Sequence, residues 1–73
     1  MPKLAIERKL ENRLKEIRTA RGLTQLELAV RISVSRKTIN TVENGVFVPS
    51  TILALKLAAA LERKVEDLFY LAE

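Results

Sequence analysis

Lys37, Asn40, Thr41 and Asn44 recur at i, i+3, i+4 and i+7, the spacing of one helical face, and no carboxylate falls among them. Side chains of this kind suit the recognition of a patterned set of donors and acceptors. The base edges in the DNA major groove carry such a pattern: Arg and Lys match guanine, Asn matches adenine, and Thr offers both a hydroxyl and a methyl group. Carboxylates there would be repelled by the phosphates that flank the groove. Taken alone, the stripe fits a plain solvated helix surface as well as it fits base reading.

The elements that must position the stripe are legible around it. Ser35 is an N-cap, and Ile39 and Val42 face inward with it, opposite the polar face. Arg36 lies between the two faces in the first turn, where a long side chain can swing outward. The helix ends at Asn44-Gly45, and Gly at that place tolerates positive φ. Upstream, TQLE at 24–27 reads as a capping box opening a helix that runs to about Ile32. Only Ser33 and Val34 separate it from Ser35, so the two helices must cross steeply, and Ala29 has the small side chain such a crossing needs. Ile6, Leu10, Leu14 and Ile17 sit at helical spacing ahead of Gly22. Residues 3–11 therefore either extend that first helix or form a separate arm, with Asn12 as a cap in the second case. Pro49 and Ser50 open a fourth helix through about Leu61, and VEDLF at 65–69 makes a last short turn over the core.

Composition narrows the classes. In a chain of 73 residues, 48% apolar content with 4% aromatic points to one small aliphatic, helical core. Having neither Cys nor His excludes disulfides and the usual structural zinc sites. The net charge of +4 is uneven: residues 1–37 hold ten Lys or Arg against four Glu, and 38–73 hold three against five acids. A polyanion would meet the first half. The most apolar window, ILALKLAAAL at 52–61, is interrupted by Lys56 and is far shorter than the ~20 residues a bilayer requires, so a soluble cytoplasmic protein without membrane contact is expected. Glu66-Asp67 fits the first turn of a short helix, and two Gly are too few for a phosphate loop. No catalytic residue, metal, cofactor or small-molecule ligand is expected.

Residues 12–69, about four fifths of the chain, resemble the helix-turn-helix domain of phage-type repressors, the Cro/CI or XRE-like family and its small single-domain regulators. NRLKEIRTARGLTQLELA, VSRKTINTVENG, PS, LALKLAAAL and VEDLF, in that order, carry the resemblance. It implies an all-α, five-helix fold, with 1–11 as an N-terminal extension and 70–73 as a C-terminal tail. It also implies a regulator, most simply a dimeric repressor, that reads an inverted repeat in double-stranded DNA. By the same resemblance Arg36, Lys37 and Thr41 would face base edges, with Asn40 at the margin. Thr24, Gln25, Ser35 and Asn44 would contact phosphates, and Arg18 and Glu43 would form a structural ion pair. A homodimer interface is implied on the fourth and fifth helices and the C-terminus.

Several residues depart from that pattern. Ser33 stands where the family usually has Gly, and would carry strain if its backbone is left-handed. Glu62-Arg63-Lys64 follows the fourth helix where Gly is common, which leaves the end of that helix open. Leu26 and Val30, with Val46, Val48 and Ile52, replace residues that are often polar in the family. They are either scattered surface residues, partly covered by the N-terminal segment, or a patch for self-association or for a partner protein, the last as in an antitoxin or protein-interaction adaptor with DNA binding secondary.

Overall fold

Four of the five helices begin where a side-chain oxygen accepts from an otherwise unpaired first-turn N–H group. In a computed structural model that describes residues 9–72, the five are α1 Leu14–Ala20, α2 Gln25–Arg31, α3 Arg36–Glu43, α4 Thr51–Leu61 and α5 Val65–Leu68. Asn12 Oδ1 accepts from Leu14 N–H at 3.0 Å, while its Nδ2 donates to the Val42 carbonyl at 3.0 Å, so one side chain starts α1 and closes the last turn of α3. Thr24 and Glu27 form a reciprocal capping box at 3.0 and 2.8 Å. Ser35 and Ser50 each accept from the N–H three residues on, at 3.1 Å. At α5 the Lys64 N–H donates to Asp67 Oδ2 at 3.2 Å.

The first four helices also end alike, whereas α5 runs straight into extended Phe69. Gly22, Ser33, Gly45 and Glu62 have φ of 72, 60, 74 and 57°. Each is the left-handed residue of a turn in which its own N–H bonds three residues back and the next N–H bonds five residues back. In the first two turns the residue after the left-handed one, Leu23 and Val34, packs against the core. Because α4 stops at Leu61 with Glu62 left-handed, the Gly of the family pattern is replaced without lengthening the helix.

The core is aliphatic: Leu14, Leu28, Ile39, Leu57, Leu61 and Leu68 are fully buried, with Ile17, Ala29, Ile32, Val42 and Ala58 around them. Each such Leu contributes roughly 1.5–3 kcal/mol relative to exposure. Ala29 is fully buried and its carbonyl accepts from Val34 N–H at 3.0 Å, so the α2–α3 turn folds directly over it. Ser35, expected to face inward, is exposed; its oxygen bonds outside the core.

The five helices agree with the sequence reading, but the fold is not strictly all-α. Strand β1, Lys9–Asn12, pairs antiparallel with β2, Phe69–Ala72, in the register Leu10↔Leu71 and Asn12↔Phe69. Leu10 thus belongs to a strand and not to an extended first helix. Its helical spacing from Leu14 is coincidental, since nothing local to KLEN reveals a partner at the other end of the chain. Arg13 N–H donates to the Leu68 carbonyl at 2.8 Å, and its guanidinium lies 4.4 Å from the Tyr70 ring centre, fixing the small sheet to the helices. Of the N-terminal extension expected over 1–11, residues 1–8, Ile6 among them, lie outside the described residues, as does Glu73. Among the described residues no helix is long and apolar enough to cross a membrane.

Candidate nucleic-acid interface

Ile39 and Val42 are buried, which fixes the rotation of α3 and turns Lys37, Asn40, Thr41 and Asn44 away from the core. Arg36, Lys37 and Asn44 are exposed, while Asn40 and Thr41 are half-buried. Ser35 is exposed at the start of the same helix, and its oxygen lies 2.9 Å from Thr38 Oγ1. α3 has no acid in its first turn, so nothing offsets the partial positive charge of its N-terminus.

The one acid of α3 is withdrawn. Glu43 has a side chain only 2% exposed and accepts from Arg18 Nε at 2.6 Å and Nη2 at 3.3 Å. Arg18 also donates to the Leu23 carbonyl at 2.7 Å. The second oxygen of Glu43 accepts from Gln25 Nε2 at 3.0 Å, and Gln25 Oε1 accepts from Arg36 Nη1 at 2.9 Å. A continuous chain of bonds therefore runs from buried Arg18 through Glu43 and Gln25 to exposed Arg36. It neutralises a buried carboxylate and holds the first residue of α2 against the first residue of α3. No buried side-chain nitrogen or oxygen among the described residues lacks a partner.

Thr24 is exposed at the start of α2, its oxygen occupied by the capping box. The Thr41 hydroxyl donates back into α3, lying 3.0 Å from both the Lys37 and Thr38 carbonyls. What Thr41 presents outward is therefore its methyl group more than a donor. The stripe is bordered by residues that the sequence reading did not associate with it. Thr38, Val46 and Phe47 line a groove of about 340 Å³ together with Ser35, Lys37 and Thr41. Val46 and Phe47 N–H both donate to the Thr41 carbonyl, at 2.9 and 3.2 Å, which ties the loop to the helix. The signal that could have found them is the left-handed Gly45, which turns the chain back along α3.

A family model described as Helix-turn-helix matches residues 14–68. An uncharacterized HTH-type transcriptional regulator of Bacillus subtilis, YgzD, is 41% identical over 64 residues, covering 88% of this chain and 97% of that protein. An uncharacterized HTH-type transcriptional regulator of Methanothermobacter thermautotrophicus is 49% identical over 61 residues, 82% of this chain and 88% of its own length. Among solved structures, the restriction-modification controller protein C.AhdI of Aeromonas hydrophila superposes with a TM-score of 0.72 at 40% identity, over 75% of this chain and 80% of that one.

Proposed function

The chain belongs to the XRE-like helix-turn-helix family of DNA-binding transcriptional regulators, and from that premise we propose that it is a dimeric, sequence-specific repressor reading an inverted repeat. The observation that carries this is the outward face of α3, free of exposed acid because Glu43 is buried against Arg18. In the proposed complex α3 enters the major groove of double-stranded DNA. Arg36 and Lys37 meet guanine edges, Asn40 and Thr41 lie over neighbouring bases, and Thr24, Gln25, Ser35 and Asn44 meet phosphates. Gln25 keeps one amide hydrogen for a phosphate while its other groups hold Arg36 and Glu43. Its role is thus coupled to base reading through Arg36.

Dimerisation is assigned to α4, α5 and the C-terminal strand. Ile52 and Leu55 are exposed on α4, and Leu55 lines a cleft of about 310 Å³ with Leu10, Val65 and Phe69. Leu71 pairs with Leu10 beside that cleft and is 52% exposed. Two recognition helices about 34 Å apart would read half-sites one turn apart, ~10 base pairs. In this reading residues 12–69 form the DNA-reading unit, the protein acts in the cytoplasm, and neither catalysis, a cofactor nor a small ligand takes part.

The test is selection of bound sequences from a random duplex pool, followed by binding at several salt concentrations. The expected result is a two-fold symmetric consensus and an affinity that falls with salt by ~0.9 log units per log unit for each phosphate neutralised. Arg36→Ala should relax sequence preference, and Gln25→Ala should both weaken binding and relax it at the base Arg36 reads. A pool that yields no consensus rejects the proposal.

One observation favours a second reading. Leu26 and Val30 of α2 are 57% and 69% exposed, one turn apart, and neither belongs to the core among the described residues. In an antitoxin or adaptor they would meet a partner protein. A stable complex with the product of a neighbouring small reading frame, lost in Val30→Glu, would support it.

A further inference from the structure

Val46 is placed unlike its counterparts. Leu23 and Val34, which follow the left-handed residues of the first two turns, pack against the core, whereas Val46 is 77% exposed. Phe47 and Val48 are exposed beside it, giving three consecutive apolar residues in a loop bonded to the Thr41 carbonyl. On the helix side, the Thr41 hydroxyl is taken up by the Lys37 and Thr38 carbonyls, so the methyl group is the part of this groove-lining side chain left free for a contact. The groove is thus apolar on its Thr41, Val46 and Phe47 walls and cationic at Lys37, and its two further lining residues, Ser35 and Thr38, have their hydroxyls bonded to each other.

We infer that this groove seats the C5-methyl group of a pyrimidine, a thymine or 5-methylcytosine, in the base pair next to the one that Lys37 reads. The inference rests on the proposed entry of α3 into the major groove. Of the groups displayed there, the thymine methyl is the one apolar feature, and the remainder are donors and acceptors that an apolar wall would leave unpaired. Lys37 at the rim supplies the charge that draws the flanking nucleotides toward the same wall. The exposed residues are then a specificity element that extends the polar stripe, and Val46 discriminates a methylated from an unmethylated base edge.

The test uses the full chain and a duplex carrying its selected consensus. Each thymine is replaced singly by uracil, which removes only the methyl group. Two mild variants are measured in parallel: Thr41→Ser, which keeps the hydroxyl bonds, and Val46→Ser, at a site that contributes nothing to the core. One thymine position should weaken binding by the wild-type chain about fourfold per half-site when changed to uracil, the equivalent of ~0.8 kcal/mol for one buried carbon group. The same change should have little effect in either variant, and 5-methylcytosine there should bind more tightly than cytosine. If the wild-type chain selects its consensus but no thymine shows this coupling, the inference is overturned while the base-reading proposal stands. Equal weakening by Val46→Ser on thymine and uracil duplexes also overturns it, by placing the loop against the sugar-phosphate backbone. An absence of any consensus rejects both.

Discussion

Ser33 and Glu62 adopt the same left-handed backbone as Gly22 and Gly45, but each carries a Cβ that disfavours it. Among the described residues Ser33 makes no compensating side-chain bond, so Ser33→Gly should stabilise the domain by ~0.5–1 kcal/mol after allowance for the extra freedom of Gly in the unfolded chain. Urea unfolding would show this as a raised midpoint with unchanged slope, and an unchanged midpoint would refute it. Glu62→Gly should help less, because it removes the 2.7 Å bond from Arg21. Glu43→Ala acts in the other direction. It strips Arg18 and Gln25 of their acceptor in the interior, and should destabilise by ~3–5 kcal/mol, the usual result of leaving one member of a buried pair. Ser33 stood out in the sequence because the family pattern has Gly at that place. The contact between Arg18 of α1 and Glu43 of α3, with all of α2 between them in sequence, has no local sign and comes only from the resemblance. The Gln25–Arg36 bond has no sign in the sequence, because it depends on the crossing of α2 and α3 that brings their first residues together.

Helix boundaries were legible because their causes lie within three or four residues. Thr24 with Glu27, Ser35 and Ser50 announce their helices, and the left-handed turns end them. The sheet was not legible, because KLEN and FYLA depend on each other across nearly the whole chain. The groove beside α3 escaped notice for a different reason: Gly45 marks a local turn, but only the folded loop brings Val46 and Phe47 back onto Thr41. The capping box makes a prediction about pH at this scale. The Thr24 backbone N–H, then its side chain, hold the Glu27 carboxyl below the usual carboxylate range. The folded value lies below the unfolded one, so the stabilisation is complete at neutral pH and is lost as pH falls through and below that range. Glu62 shifts in the same direction through its bond and charge interaction with Arg21. Glu27→Gln retains an acceptor for the Thr24 N–H but cannot titrate. It should lower stability at neutral pH slightly and make the fall in acid shallower, while leaving the part due to Glu62. Parallel stability profiles for the two proteins between pH 7 and 3 would contradict the assignment.

At the scale of the whole molecule, the proposed DNA face and the proposed dimer face use different elements, so they can be separated by mutation. α3 and the loop behind it carry the first; Leu55 on α4 and Leu71 on β2, both more than half exposed, carry the second. Neither leucine belongs to the core cluster, so a charge at either should leave the monomer folded while opposing self-association. Leu55→Glu is therefore expected to give a monomer by sedimentation at concentrations where the parent chain is a dimer, with an unchanged helical signal. It should bind a single half-site as the parent subunit does, yet lose most of its affinity for the full inverted repeat, because the second contact is no longer made within one assembly. If Leu55→Glu and Leu71→Glu both remain dimeric, the interface lies elsewhere. Val30→Glu then becomes the decisive variant, since Leu26 and Val30 form another exposed aliphatic pair among the helices.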